Sequence, residues 1–136
     1  MVDFRYLLDS NTLSEFIRNP RGLVNKRLAV VGEATVCTSI VVACELRFGA
    51  KKKGSSRLEE RVDEVLASLE VLPLDKEADR HYAEIRTHLS RKGRPIGSND
   101  LLIAAHTLAL DLVLVTDNVD EFTRVPGLSI ENWLAA

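Results

Sequence analysis

Short apolar segments alternate with amphipathic segments along this chain, and that alternation constrains its fold more than any other feature. Residues 4–8, 36–39 and 112–116 are apolar runs of the length expected for single buried strands. Residues 57–70 and 76–92 repeat apolar side chains at steps of three and four, the spacing of a helix with one buried face. Strands that alternate with helices predict a parallel sheet covered by helices on both faces.

The remaining segments continue the same alternation. Helices are expected at 11–17, 41–50 and 99–109, the last with Ser98 as its N-cap, and a further short strand is expected at 70–74. A chain of 136 residues can bury one hydrophobic core, and no linker or repeat divides it. We therefore expect a single α/β domain over residues 1–136.

Composition narrows the class of protein. Hydrophobic residues make up 46% and charged residues 28% of the chain, the balance of a globular protein rather than a disordered or membrane-spanning one. The net charge of −2 gives no overall attraction for nucleic acid. The start lacks the pattern of a secretory signal, so we expect a cytoplasmic protein without a membrane segment. Cys37 and Cys44 are then expected to be reduced core residues.

Four carboxylates follow predicted strands or lie in the helices after them. Asp9 and Asp117 each come directly after a strand, Asp100 lies in the first turn of a helix, and Glu45 lies in an apolar helical stretch. Taken singly, Asp9 and Asp117 could be turn formers, and Asp100 could complement its helix dipole. Glu45 is harder to explain in this way, because an unpaired charge among apolar neighbours is costly.

Taken together, these carboxylates predict a metal site. The carboxyl ends of parallel strands meet at one edge of the sheet, so the four side chains are expected to lie close together. Carboxylates in one cleft repel each other unless a cation compensates, and Mg²⁺ or Mn²⁺ prefers such oxygen ligands. These ions can hold a phosphodiester and direct water at it. Asn11 and Thr116 would support the ligands through hydrogen bonds.

Five segments carry a resemblance to a known family: LLDSNTLSE (7–15), SIVVACELRFGAKK (39–52), GRPIGSNDLLIAAHTLA (93–109), LVLVTDNVDEF (112–122) and RVPGLSIENW (124–133). In this order the chain resembles the PIN-domain ribonucleases, and within them the VapC toxins of bacterial toxin-antitoxin pairs. The resemblance implies a three-layer α/β/α sandwich on a mainly parallel sheet. It also implies Mg²⁺-dependent cleavage of a structured RNA such as tRNA or rRNA, and a small VapB-like antitoxin that covers the cleft.

The resemblance also assigns the site. It places the catalytic, metal-binding acids at Asp9, Glu45 and Asp100, and the usual threonine after the first acid is here Ser10, which keeps the hydroxyl. For the fourth acid the first choice is Asp117. The alternatives are that Asn118 holds a water molecule, as one of the supporting polar residues, while Asp120 or Glu121 supplies the charge.

Basic residues near the predicted site are candidates for RNA contacts. Arg94 shortly before Asp100, and Lys51 and Lys52 in a loop around residue 54, could track phosphates. Runs of basic residues are also common on ordinary solvated faces. The apolar stripes of 57–70 and 76–92 suggest a homodimer, as relatives form.

Two rival functions are compatible with parts of the sequence. A phosphatase of the haloacid-dehalogenase type also begins with a strand that ends in Asp, but it needs a second Asp two residues later as general acid. Asn11 stands there, and an amide cannot exchange a proton in that way. The other rival is a PIN-like fold without catalysis that serves as a binding module. His106, on the helix of Asp100, is expected to be structural.

Overall fold

A computed structural model describes residues 3–135 of the chain as five strands and seven α-helices. In chain order these are β1 (Tyr6–Leu8), α1 (Ser10–Arg18), α2 (Leu23–Val31), β2 (Val36–Ser39), α3 (Ile40–Lys53), α4 (Ser56–Ser68), β3 (Glu70–Leu72), α5 (Ala78–Arg91), α6 (Ser98–Ala109), β4 (Val113–Val115), α7 (Val119–Phe122) and β5 (Ser129–Glu131). The alternation of strands and helices expected from the sequence is confirmed.

The five strands form one sheet in the order β3-β2-β1-β4-β5, and all the pairings are parallel. The α/β class and the helix-covered parallel sheet are therefore confirmed. The central strand β1 is buried along its whole length, which explains why its sequence is continuously apolar. Parallel strands need a crossover between them, and the helices of this chain supply those crossovers.

The register of the sheet brings distant parts of the chain to one edge. Leu8 pairs with Thr38 of β2 on one side and with Val115 of β4 on the other. The residues that follow these three, Asp9, Ser39 and the loop after β4, therefore leave the sheet at the same edge. Polar side chains at this edge come from three segments that are far apart in sequence.

Two helices were not expected from the sequence. Helix α2 reads LVNKRLAVV, in which apolar and charged residues do not separate onto two clear faces, and its N-cap Gly22 makes no side-chain hydrogen bond. Helix α7 is only four residues long, too short to show a period. Tertiary packing fixes both, since Val24 and Phe122 are buried in the core.

Several local expectations are wrong. Helix α6 begins at Ser98, with Gly97 as its N-cap, so Ser98 is not the capping residue. Helix α3 continues through Lys51 and Lys52, which lie in its last turn rather than in a loop, because Gly54 in the left-handed conformation ends the helix there. Cys37 is buried and free, as expected, but Cys44 is free and exposed rather than in the core.

The apolar stripes of α4 and α5 face inward. Val62 and Leu66 of α4, and Ile85 and Leu89 of α5, belong to the main core. These helices therefore do not offer the surplus apolar surface on which the sequence-based homodimer rested. Among the described residues, no helix combines the length and the apolar character needed to cross a membrane.

Candidate functional site

Asp9 stands at the junction of the central strand and the first helix. Its backbone N–H donates to the Val115 carbonyl at 3.0 Å, which continues the sheet by one residue, and its side chain caps α1 by accepting from the Thr12 N–H at 3.0 Å. Burial raises the pKa of the Asp9 carboxyl, while hydrogen bonds from Thr116 and Thr12 lower it. Asp9 is thus a buried acid whose position is fixed by backbone geometry.

Glu45 reaches the same edge from the second turn of α3. The Ser10 hydroxyl donates to its Oε1 at 2.6 Å, and the Asn99 amide lies 3.5 Å from its Oε2. These contacts join α1, α3 and the first turn of α6 through one carboxylate. They also explain how Glu45 is tolerated in an apolar helical stretch, because both oxygens have polar partners.

Asp100 lies in the first turn of α6 and contacts a fourth acid, Glu121 of α7. Burial, together with the negative charges of Glu121, Glu45 and Asp9, raises the pKa of Asp100 to about 7. A Cβ placed on Gly97 would lie 3.6 Å from Oδ2 of Asp100 and 3.9 Å from Oε1 of Glu121, so both carboxylates converge on one point. Asp9, Glu45, Asp100 and Glu121 are called the acidic cluster below.

Glu121 is held from two sides by hydrogen bonds. The Gly97 backbone N–H donates to its Oε1 at 2.9 Å, and the Asn118 amide donates to its Oε2. Burial alone would raise the pKa of Glu121, but these two hydrogen bonds and the one with Asp100 outweigh it and lower the pKa. The Asp100–Glu121 pair therefore holds its proton on Asp100.

Two candidates for the fourth acid, Asp117 and Glu121, both follow β4 but lie at different places in the site. Asp117 is exposed, accepts a hydrogen bond from the Asn11 amide at 3.0 Å, and raises the pKa of Asp9 by its charge. The Thr116 hydroxyl accepts from the Asn118 N–H at 3.0 Å. Asp117 therefore borders Asp9 from the solvent side, whereas Glu121, one turn further along, contacts Asp100 directly.

The basic residues are placed less closely than the acids. Lys51 makes an ion pair with Glu59 of α4 at 2.8 Å, Lys52 is exposed, and Arg94 is exposed. The cation that acts on the acidic cluster is Arg124, whose charge lowers the pKa of Glu121. Sequence reasoning did not single out Arg124 or Asn99. Arg124 lies three residues after Glu121. Residues at this spacing are neighbours only when the chain is helical, and the sequence shows no sign of the short helix α7.

The donor set of the acidic cluster fits a hard divalent cation. Within residues 3–135, no Lys or Arg forms an ion pair with Asp9, Glu45, Asp100 or Glu121. The same residues contain no group of three His, Cys, Asp or Glu side chains already arranged as a ligand cage. Mg²⁺ does not require one, because it keeps several waters and binds through one or two carboxylates. Burial is the largest cause of the raised pKa of Asp100; the charges of Glu121, Glu45 and Asp9 add to it, and such a cation would offset those charges.

A groove of about 260 Å³ begins at Ser10, Asn11 and Glu45 and runs between α1, α3 and α4. Its walls are aliphatic, and residues late in α1 and α3 add positive charge; the lining includes Ile17, Leu46, Leu58, Val62, Arg18 and Lys53. Gly49 of α3 also lines it, and a Cβ there would meet nothing within 4 Å. This glycine thus leaves space in the groove rather than relieving a close contact.

The PIN domain family model matches residues 6–128 of the chain. Among curated proteins, the chain is 37% identical over 130 residues to Ribonuclease VapC2 of Rickettsia felis, a match that covers 94% of this chain and 97% of that relative. It is also 37% identical over 130 residues to the tRNA(fMet)-specific endonuclease VapC of Salmonella typhimurium, with 95% and 98% covered.

Solved structures give the same result. VapBC2 from Rickettsia felis bound to a DNA fragment from its promoter contains a chain that superposes with a TM-score of 0.89 at 35% identity, over 96% of this chain and 99% of that one. DNA-bound VapBC from Salmonella typhimurium gives a TM-score of 0.86 at 37% identity, over 96% and 98%. The span of the family model, residues 6–128, includes all four residues of the acidic cluster.

Proposed function

The chain belongs to the PIN-domain family, among the VapC ribonucleases, and from that premise we propose that it is a divalent-metal-dependent endoribonuclease and the toxin of a toxin-antitoxin pair. The observation that carries the proposal is the acidic cluster at the carboxyl edge of the sheet. Four carboxylates from four helices or helix starts lie there, and within residues 3–135 none of the four forms an ion pair with Lys or Arg.

Asp9, Asp100 and Glu45 would hold Mg²⁺, or Mn²⁺ in its place, and Glu121 is the fourth acid that the contacts favour. When bound, such a cation would supply positive charge to offset the cluster and would make a water molecule acidic enough to attack a phosphodiester. Asp117 was the first choice from the sequence for the fourth metal ligand. It stays a prediction as a ligand next to Asp9, whose pKa its charge raises.

The neighbouring polar groups orient these carboxylates. Ser10 holds Glu45, Thr12 holds Asp9, and Asn118 holds Glu121 through the hydrogen bonds described above. A carboxylate fixed in this way loses little freedom when it binds a cation. The role of the protein's own residues is therefore to present oxygen atoms in fixed positions, so that the scissile phosphate and the attacking water meet with little rearrangement.

The substrate that we propose is a structured RNA, of the tRNA or rRNA class. Two supports are the cation Arg124 beside the acidic cluster and the relatives named as tRNA(fMet)-specific endonucleases. Arg94, Lys51 and Lys52 stay predictions for RNA contacts, with Lys51 already engaged by Glu59. A cytoplasmic location, where such an RNA would be met, stays a prediction too.

The partner that we propose is a VapB-like antitoxin, which would lay an apolar segment in the groove between α1, α3 and α4. The related VapBC structures support a partner of this kind. The groove has the aliphatic walls that an amphipathic helix needs, and it opens at Ser10 and Glu45 beside the acidic cluster. A segment bound there would cover the site and exclude RNA.

A homodimer is a further proposal, now supported by another surface than the one the sequence suggested. Ile40, Cys44 and Phe48 form an exposed stripe at four-residue steps along α3, and Phe48 is 67% exposed. An exposed apolar stripe of this kind suits a self-complementary contact with a second copy. We call it the α3 stripe.

The α3 stripe gives a test of the dimer. Phe48→Glu is expected to convert a dimer into a monomer in light scattering, because it places a charge in an apolar contact. Val30→Glu is the matched control, since Val30 of α2 is 76% exposed and lies outside the stripe. A monomeric wild-type protein, or equal effects of the two substitutions, would contradict the use of this surface.

Chelation tests the proposed reaction. Purified protein is expected to cut total cellular RNA into defined fragments in Mg²⁺ or Mn²⁺, and excess EDTA should remove at least about 99% of that cleavage because the acidic cluster loses its cation. Circular dichroism in EDTA serves as the control and should show an intact fold. Cleavage that continues unchanged in EDTA would reject metal dependence, and sequencing of the fragment ends would identify the RNA.

Neither rival function gains support at the site. Asn11, which stands where the phosphatase would need its general acid, donates its amide N–H to Asp117, and an amide cannot release and regain a proton as that acid must. A binding module without catalysis would not need four carboxylates at one edge, where the charges of Asp9, Glu45 and Glu121 act on Asp100 and are unfavourable without a cation.

A further inference from the structure

A buried hydrogen bond joins the two helices that carry Asp100 and Glu45. Nδ1 of His106, in α6, lies 2.8 Å from the hydroxyl oxygen of Ser39, the N-cap of α3. His106 is 2% exposed and Ser39 is fully buried. With no access for a substrate, the two side chains cannot act as a nucleophile and its base, so their contact connects elements rather than reacting.

The protonation of this pair follows from its partners. The Ser39 hydroxyl accepts from the Val41 N–H at 3.1 Å and still has its own proton to donate. Burial lowers the pKa of His106, and the Pro73 carbonyl raises it to a smaller extent, so the ring is neutral. That carbonyl also favours a proton on Nε2, an atom with no well-formed hydrogen bond among the described residues. Nδ1 is then the acceptor and Ser39 the donor.

The hydrogen bond between His106 and Ser39 can affect the positions of Asp100 and Glu45. Ser39 precedes Glu45 by six residues in α3, and His106 follows Asp100 by six residues in α6. Six helical residues span about 9 Å, so a small rotation of α6 about this contact would move Asp100 relative to Glu45. Residues 40–45 and 100–106 are continuous helix, so a displacement at the contact would carry through the helix to the acid.

We propose that His106 is a positioning residue: its hydrogen bond with Ser39 fixes α6 against the start of α3 and so sets the separation of the Asp100 and Glu45 carboxylates. The proposal rests on the proposed function in so far as those acids hold the metal. His106 itself contacts neither acid, and its action is through the two helices.

Three variants separate positioning from ordinary packing. His106→Leu removes the acceptor but keeps a buried side chain, and His106→Asn keeps an acceptor oxygen near the place of Nδ1. Thr107→Val is the matched control, because Thr107 is also fully buried on α6 and donates only to the Ile103 carbonyl of its own helix. A merely structural role predicts similar consequences for His106→Leu and Thr107→Val at equal loss of stability.

Positioning predicts a different pattern of kinetics and binding. His106→Leu is expected to lower kcat for RNA cleavage about 10–100-fold with KM unchanged, since reacting groups are displaced without loss of RNA contacts. Mn²⁺ binding, followed by electron paramagnetic resonance, should weaken about tenfold. His106→Asn should recover most of both losses, and Thr107→Val should show neither.

Carbon NMR supplies a readout that needs neither metal nor RNA. At one fixed pH, the carboxyl carbon signals of both Asp100 and Glu45 should shift in His106→Leu and stay in place in Thr107→Val, and nitrogen NMR should show the His106 proton on Nε2. Unchanged carboxyl signals would overturn the proposal even if the enzyme is active. If wild-type protein cleaves no RNA, the proposed function fails, but the same carboxyl signals still decide the positioning role.

Discussion

Asp100→Asn should reduce RNA cleavage at least about 100-fold and, at the same time, raise the temperature at which the metal-free protein unfolds at pH 8. The carboxylate is lost as a ligand, but the amide resembles the protonated acid and can donate to Glu121 as that acid does. Cleavage assays and thermal unfolding in EDTA measure the two effects. A variant that loses activity and gains stability is expected where the charges of a site oppose folding.

The pH dependence of the gain in stability follows from the pKa of Asp100. The folded pKa is about 7, above the ordinary value of 3.8, so the folded state retains a proton that the unfolded state releases. Wild-type stability is therefore expected to fall as pH rises from about 4 to about 7, as far as Asp100 contributes. The advantage of Asp100→Asn should accordingly be small near pH 4 and largest above pH 7.

Asp63→Asn is the matched control for this prediction. Asp63 is an exposed acid on α4 that pairs with Arg47, away from the acidic cluster. Its loss should leave cleavage unchanged and alter stability little, because exposed ion pairs contribute about 0–1 kcal/mol. An Asp100→Asn protein that cleaves RNA as fast as Asp63→Asn would remove Asp100 from the site.

The second large effect is expected at Gly49, in the groove proposed for the antitoxin. Gly49→Leu places a side chain in the empty space of the groove and should weaken binding of the neutralising partner at least about 30-fold, the effect of losing a binding hot spot. RNA cleavage should persist, since Gly49 lies outside the acidic cluster. The measurement is growth on toxin expression, with and without the small protein that relieves wild-type growth arrest.

Gly49→Ala is the control for Gly49→Leu, because it changes the same residue but adds only a methyl group. A methyl group there meets nothing within 4 Å, and alanine favours the interior of α3 by about 0.5–1 kcal/mol over glycine. Gly49→Ala should therefore be more stable and still be neutralised. Normal neutralisation of Gly49→Leu would show that the antitoxin does not use this groove.

The location of Asp9, Glu45 and Asp100 at one edge of the sheet could be expected from the sequence because each has a local signal. Asp9 ends a fully buried strand, Asp100 opens a helix, and Glu45 is the single acid in an apolar helical stretch. Parallel topology then brings such positions to one edge without knowledge of the loops between them. In the structure the charges of Asp9 and Glu45 both raise the pKa of Asp100, which agrees with a position of the three side chains at one edge.

The remaining parts of the site could not be predicted because they depend on the path of short segments. Asp117 lies only two residues after β4, yet Glu121 reaches Asp100, since the four-residue helix α7 turns the Glu121 side chain back toward Gly97. A helix of four residues is too short to produce a hydrophobic period in the sequence. The exposed α3 stripe was hidden for another reason: Phe48 and Cys44 are apolar, and sequence pattern alone places such residues in a core.

The most direct test of the central claim is the position of bound Mn²⁺ in a crystal of the protein, read from its anomalous scattering. The account predicts a peak coordinated by oxygen atoms of Asp9 and Asp100, with Glu45 or Glu121 reaching it directly or through water, and no such peak in a crystal of Asp9→Asn. Mn²⁺ bound away from these carboxylates, in a protein that cleaves RNA only with that metal, would contradict it.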